Sequence, residues 1–382
     1  LIYFDNAATT FPKPEIVHET VLNHLKNSAA NPGRSGHKMA FEAGKAIYEV
    51  RELLCQLFNI SNPMQIVFTS NATDSLNLAI KGLLKDGDHV ITTSMEHNSV
   101  LRPIKALEGK GVTNTIVDCD EFGVLDPKKI RKEIRSNTKL IVLTHASNVT
   151  GTIMPIEEVG KIARENNIYF LVDAAQTAGI YPIDVEKIGI DLLALPAHKG
   201  LLGIQGLGVL YIREGIEIDH FKEGGTGSKS EELIQPLFMP DRYESGTPNT
   251  PGIVALGAGI QFILNEGMEK IHKREEFLTE YFISKIKEIP QIKIYGAHHI
   301  GTQAAVVSIN IGDEDSSEIG CLLDESFDIG VRSGLHCAPL AHKTIGTFEQ
   351  GTIRFSFGYF TTEYEIDRAV EALKSICDSI EG

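Results

Sequence analysis

Basic side chains are outnumbered. Lys and Arg total 36 against 51 Asp and Glu, a formal net charge of −15. An acidic surface repels phosphate backbones and anionic headgroups, which sets aside nucleic acid and membrane as partners. No apolar run approaches the ~18 residues of a membrane span. The opening Leu1-Ile2-Tyr3-Phe4-Asp5-Asn6 lacks the basic flank and apolar core of a secretory signal. Cysteine is sparse: five in 382 residues, an odd count with no CxxC pair. That argues against a disulfide framework and a structural zinc site, and the expectation is a cytoplasmic protein without a metal. There is no internal repeat and no low-complexity segment. Hydrophobic residues at 42% and charged residues at 23% describe an ordinary folded chain, and at ~150 residues per domain the length suggests two or three domains.

What recurs is a βα rhythm. Short apolar strands are expected at 89–93, 112–117, 139–144, 169–172, 191–195 and 208–212. Helical periodicity follows at 99–109, 126–136 and 155–166. Strands apolar along their whole length are buried on both faces, as in a parallel sheet covered by helices. After about Gly246 the rhythm changes. Helical stretches at 253–266 and 268–289 lead to strands at 292–295, 304–311, 327–331 and 351–355, with helices at 317–323 and 362–379. The expected fold is α/β: a three-layer α/β/α large domain with a mainly parallel sheet over 12–250, and a smaller α+β domain over 251–382. An N-terminal segment, 1–11, joins the two.

Glycine is plentiful, 35 residues, and the excess sits in loops after strands. In one such loop His198-Lys199 follows the strand at 191–195, at the carboxyl end where open α/β sheets hold ligands. Alone, this lysine could be a surface residue. Asp173 ends another apolar strand, and alone it could be a helix cap. Together they have a joint chemical reading: the lysine forms a Schiff base with pyridoxal phosphate (PLP), and the acid keeps the pyridine nitrogen protonated. The run from Ile66 to Ser75 is a strand, a small polar turn and a helix start. Amides at Ala72 and Thr73, with the Thr73 hydroxyl, suit a phosphate; plain capping by Ser70 or Asn71 is the alternative.

These residues carry a resemblance. The chain resembles the class V (fold type I) PLP-dependent aminotransferase family, and within it the cysteine desulfurase and selenocysteine lyase branch. Glu96-His97-Asn98 is similar to the motif whose histidine stacks on the pyridoxal ring. The segment 145–151 is similar to the one whose Asn, here Asn148, contacts cofactor and substrate. Asp173 and Gln176 match the partners of the ring nitrogen and phenolic oxygen, and His198-Lys199 matches the Schiff-base motif. The segment 243–249 resembles one that reaches the phosphate of a neighbouring subunit through Thr247, which implies a homodimer. Where the family usually has Ser or Thr shortly before the lysine, this chain has Pro196-Ala197.

The run Arg332-Ser333-Gly334-Leu335-His336-Cys337-Ala338 is similar to the catalytic-cysteine segment of the desulfurases. A thiol near cationic or imidazole groups gains thiolate character, so Cys337 is the candidate nucleophile, with Arg332 and His336 beside it and serving substrate. Cys55, Cys119, Cys321 and Cys377 read as packing residues. Arg354 matches the family arginine that grips the amino-acid carboxylate, for which a guanidinium fork is suited. The resemblance implies a cytoplasmic enzyme converting L-cysteine to L-alanine, with a persulfide on Cys337 passed to a sulfur-acceptor protein. Lys199 would be the base and His97 a catalytic partner. Alternatives are selenocysteine lyase acting on L-selenocysteine, an aminotransferase, a cyst(e)ine β-lyase, or a non-enzymatic sulfur-binding scaffold.

Overall fold

A computed structural model describes residues 1–32, 36–297 and 301–381. The chain opens with β1 (Ile2–Tyr3), α1 (Glu15–Asn27), α2 (Lys38–Phe58), β2 (Ile66–Thr69), α3 (Ala72–Leu83), β3 (His89–Thr93), α4 (Asn98–Glu108), β4 (Thr113–Val117) and α5 (Pro127–Lys132). It continues through β5 (Thr138–Thr144), α6 (Ile156–Glu165), β6 (Tyr169–Asp173), α7 (Val185–Ile188), β7 (Leu192–Pro196), β8 (Gly208–Ile212), α8 (Thr250–Glu266) and α9 (Met268–Ile286). The last part holds β9 (Ile292–Tyr295), β10 (Val306–Ile311), α10 (Ser316–Phe327), β11 (Ile329–Gly330), β12 (Arg332–Gly334), α11 (Pro339–Thr344), β13 (Thr352–Ser356) and α12 (Glu363–Glu381).

Seven strands form one sheet in the order β2-β8-β7-β6-β5-β3-β4. All neighbours are parallel except β8, which runs antiparallel to both β7 and β2. The period-2 alternation of strand side chains divides the core. Ile141, Leu143, Phe170 and Val172 face one layer with Leu54, Val159 and Leu256. Leu140, Val142 and Leu171 face the other, with Leu76, Ile80, Val100 and Ile104 of α3 and α4. Both faces are covered, as the apolar strand sequences require. The edge strand β4 departs from that expectation, since Ile116 is 39% exposed.

The second sheet, β12-β13-β10-β9, is antiparallel. Its core packs Phe4, Phe282, Phe355 and Phe357 with Leu323 and Ile366. Phe4 comes from the N-terminus because β1 pairs in parallel with β11 and Asp5 bridges to Ser356. The final helix starts with a capping box: Glu365 N–H donates to Thr362 Oγ1, and Thr362 N–H to Glu365 Oε2.

Two local expectations change. The strand expected at 327–331 is the end of α10 followed by two short strands, because Asp328 turns left-handed at φ 57° and stops the helix there. The helix at 126–136 closes at Lys132, where the Glu133 N–H tightens onto the Ile130 carbonyl. The division drawn at residue 250 falls at the start of α8. That helix is apolar nearly all round, so Ile253, Leu256, Ile260 and Ile263 pack into the large core. The second core instead draws on α9 and later elements, together with Phe4.

One buried ion pair ties the segment around Thr247 to the sheet. Glu244 accepts from Arg51 Nη2 at 2.6 and 2.7 Å and from the Phe68 amide at 2.7 Å. Removing one partner of such a pair strands the other charge. Arg51→Met should therefore lower unfolding stability by about 3–5 kcal/mol in urea titrations; a loss below ~1 kcal/mol would show the pair to be solvated.

Candidate active site

The carboxyl ends of β6 and β7 and the N-termini of α3 and α4 meet at one pocket of about 120 Å³, lined among others by Ala72, Thr73, His97, Asn148, Asp173 and Lys199. This crevice lies outside the strand ends, where a doubly wound sheet leaves room for a ligand.

Asp173 closes β6 and is buried. Its Oδ1 accepts one protein bond, from the Ala175 amide at 3.0 Å. Burial raises its pKa, against that bond and the nearby Lys199 charge. A buried carboxylate so lightly satisfied is suited to a further cationic N–H partner. Lys199 follows β7, and its amine is withdrawn from solvent. Burial first and the Arg354 charge second bring its pKa down to about 8, while Asp173 pulls upward. The backbone at the lysine is held by the N-terminal segment. Lys13 Nζ and the Thr10 amide donate to the His198 carbonyl at 2.7 and 3.2 Å, and Thr10 Oγ1 donates to the Lys199 carbonyl at 3.1 Å.

The α3 N-terminus has Asn71 as its cap, with the side chain accepting from the Asp74 amide at 2.9 Å. The amides of Ala72 and Thr73 keep no protein partner among the described residues, so two donors and the helix dipole face the pocket. Gly208 allows this turn to sit against β8, because a Cβ there would lie 2.3 Å from the Asn71 carbonyl carbon. The Thr73 hydroxyl, expected to be free for an anion, is 2.8 Å from Ser99 Oγ. Ser99 in turn contacts His97: its amide donates to Nδ1 at 3.1 Å, and its Oγ lies 3.0 Å away. Nδ1 is thus an acceptor and the proton sits on Nε2. Burial, with the charges of Lys199 and Arg332, lowers the His97 pKa to about 4, so the ring is neutral. Burial does the same to His198, also brought to about 4. Sequence reasoning missed Ser99; its place two residues past His97, in the first turn of α4, was the available signal.

Arg354 lies in the middle of β13 and is 1% exposed. Its Nη2 pairs with Asp5 Oδ1 at 2.6 Å and its Nη1 donates to the Asn148 carbonyl at 3.0 Å. Its buried Nε has no partner among the described residues. Asp5 is a second residue that sequence reasoning passed over, because the pairing spans nearly the whole chain. Arg332 stands opposite Arg354 in the β12–β13 ladder, and its Nη2 is 3.4 Å from Cys337 Sγ. Cys337 is exposed. Its carbonyl accepts from the Asn98 amide at 2.8 Å, and the His336 carbonyl from Asn148 Nδ2 at 2.7 Å. The cysteine loop is therefore seated on the residues flanking the pocket.

One candidate residue is placed otherwise. The His336 ring is buried and turned to Thr352, with Nε2 3.0 Å from its Oγ1, so Arg332 is the group that contacts the thiol. Burial also keeps that ring neutral, so it is not a cation beside the thiol. Thr247 is exposed and lines a separate groove of about 400 Å³ with Ser70 and Lys222. Gln176 borders the pocket while its Nε2 donates to the Ala7 carbonyl at 3.2 Å. Among the remaining cysteines, Cys321 is exposed on α10 and is not a packing residue. The described residues hold no His, Cys, Asp and Glu group arranged for a metal, and no helix among them is long and apolar enough to cross a membrane.

A mostly parallel sheet covered by helices on both faces, with a ligand crevice at its strand ends, fits the fold type I class of α/β PLP enzymes. The chain belongs to the aminotransferase class-V family, whose model matches residues 2–369. Its relatives include a probable cysteine desulfurase of Pyrococcus abyssi, 36% identical, with 100% of this chain and 95% of that protein aligned. Another, from Methanothermobacter thermautotrophicus and also described as a probable cysteine desulfurase, is 35% identical over 98% of this chain and 94% of its own length. The apo structure of a cysteine desulfurase from Thermococcus onnurineus superposes with a TM-score of 0.93 at 33% identity, covering 99% of this chain and 95% of that one.

The Lys199 amine should be reactive near neutrality. In cofactor-free protein treated with limiting amine-directed reagent and read by peptide mass spectrometry, labelling of Lys199 should rise with pH through a midpoint of about 8. A midpoint at the ordinary lysine value of ~10.4 would mean that the pocket does not hold the amine out of water.

Proposed function

We propose that this enzyme is a PLP-dependent cysteine desulfurase that converts L-cysteine to L-alanine and leaves a persulfide on Cys337. The observation that carries this reading is the placement of Cys337: an exposed thiol, contacted by Arg332, on a loop bonded to Asn98 and Asn148 beside the pocket. An aminotransferase or β-lyase has no use for a thiol there.

The residues present fit PLP. Unpaired amides at Ala72 and Thr73 suit the phosphate, Asp173 suits the ring nitrogen, and His97 and Gln176 border the ring's place. Lys199 supplies the amine for the aldehyde. When bound, the cofactor supplies an electron sink that weakens bonds at the α-carbon of an amino acid.

The chain's own groups do the rest. Arg354 holds the substrate carboxylate through a guanidinium that sits against Asn148 of the pocket lining. Lys199 Nζ, with its pKa near 8, exists partly as the free amine and takes the α-proton. The Cys337 thiolate attacks the substrate sulfur. The new S–S bond forms as the Cβ–S bond breaks, and that bond's electron pair stays on the substrate carbon. Cβ takes up a proton, Lys199 returns the α-proton to Cα, alanine leaves, and the persulfide passes to an acceptor thiol.

A homodimer accompanies this reading. Thr247 lines a groove apart from its own chain's pocket, so it is placed to serve a second copy's phosphate. Exposed apolar side chains at Leu22, Leu25, Phe41, Ile234 and Leu237 offer the surface that a second copy would cover. Light scattering at micromolar concentration should give twice the chain mass; an active monomer would refute the assignment of Thr247.

The decisive assay is alanine release from L-cysteine. Cys337→Ala should lose at least 100-fold in rate, about 2.7 kcal/mol of barrier, and carry no persulfide by mass spectrometry, while wild type gains one sulfur on the Cys337 peptide. Alanine production by Cys337→Ala at the wild-type rate would replace this reading with a lyase or aminotransferase.

A further inference from the structure

Asn148 is bonded at both of its ends. Its carbonyl oxygen accepts from Arg354 Nη1 at 3.0 Å, and its side-chain Nδ2 donates to the His336 carbonyl at 2.7 Å. The first partner is the cation assigned to the substrate carboxylate. The second is the carbonyl of the peptide bond leading into Cys337. Asn148 is 8% exposed, so water competes little for either bond.

The cysteine loop needs an outside hold. His336 and Cys337 both sit in the left-handed region, at φ 48° and 60°, a conformation disfavoured for two successive residues that carry a Cβ. The bonds that fix their carbonyls come from Asn148 and from the Asn98 amide. Arg354, for its part, meets an incoming carboxylate while already engaged with Asp5 and with the Asn148 carbonyl. A guanidinium drawn toward a bound carboxylate carries both of these bonds with it.

We propose that Asn148 is a positioning residue that couples capture of a carboxylate at Arg354 to the placement of the Cys337 thiol. The identity of that carboxylate, the amino-acid substrate, rests on the desulfurase reading. The coupling is reciprocal: a loop held in place by Asn148 favours the same Arg354 arrangement that the carboxylate selects. It goes beyond a binding role for Asn148, because the nucleophile is then presented when the carboxylate site is filled.

The test reads thiol position and not turnover, so it can fail while the desulfurase reading stands, and the reverse. Holoenzyme is treated with limiting iodoacetamide, with and without saturating L-alanine. Alkylation of Cys337 is followed by peptide mass spectrometry, with exposed Cys321 as the internal reference. In wild type, L-alanine should change the Cys337 rate at least about fivefold relative to Cys321. In Asn148→Ala the Cys337 rate without alanine should already differ from wild type by a similar factor, and the response to alanine should vanish. Asn148→Asp keeps the shape but cannot donate to the His336 carbonyl, and it should behave the same way; it carries the measurement if the alanine variant does not fold. Two results overturn the proposal: no effect of alanine on wild type, or a basal rate and alanine response in the folded Asn148 variant equal to those of wild type. The latter would mean that alanine merely shields the thiol.

Discussion

The buried guanidinium of Arg354 is the constraint around which the site is assembled. It lies in the small antiparallel sheet, pairs with Asp5 of the N-terminal segment and binds the carbonyl of Asn148 from the large-sheet side. A cation withdrawn from water is tolerated only if its donors are met. Asp5 and Asn148 meet those at Nη2 and Nη1, so three stretches far apart in the chain are fixed relative to one another. The N-terminal segment that supplies Asp5 also supplies Phe4 to the small core and Thr10 and Lys13 to the backbone at Lys199. One short N-terminal segment thus reaches both Arg354 and the backbone at Lys199.

Burial does most of the electrostatic tuning. It lowers His97 and His198 to about 4, brings Lys199 to about 8 and lifts the fully buried Glu96 to about 8. Glu96 accepts from Thr93 Oγ1 at 2.8 Å and from the Thr144 amide at 3.0 Å, joining the ends of β3 and β5. The imidazoles are therefore hydrogen-bonding surfaces and not charges. The net positive character near the thiol comes from the two arginines that face each other across β12 and β13. Cross-strand placement of like charges costs stability. It is held here because Asp5 offsets one of them and the other reaches the exposed Cys337 sulfur.

Much of the fold was legible. The strands at β3, β5, β6, β7 and β8 follow from short apolar runs, and Lys199 and Asp173 from their position at strand ends. The Arg332-to-Ala338 run marked the cysteine loop. Less legible was what depends on packing. Helix α8 reads as a new beginning after a loop, but its all-round apolar surface places it in the large core. His336 reads as an activator by its neighbourhood to Cys337, yet a left-handed turn at both residues sends the ring to Thr352. Cys321 has a helical spacing that could have faced either way, and it faces solvent.

The sequence by itself determined which chemistry is available: a strand-end lysine and acid, a small polar turn before a helix, and an arginine and a cysteine late in the chain. Periodicity places the strand ends and the helix start, because strand burial and helix starts are local properties; the arginine and the cysteine were singled out by the resemblance of their segments to a known family. Only the tertiary structure decided which groups meet. Asp5 reaches Arg354, Ser99 links His97 to Thr73, and Asn148 joins Arg354 to the cysteine loop. Such pairings span up to 349 residues, and they follow from how two sheets and an N-terminal strand close on one another, not from any local preference of the chain.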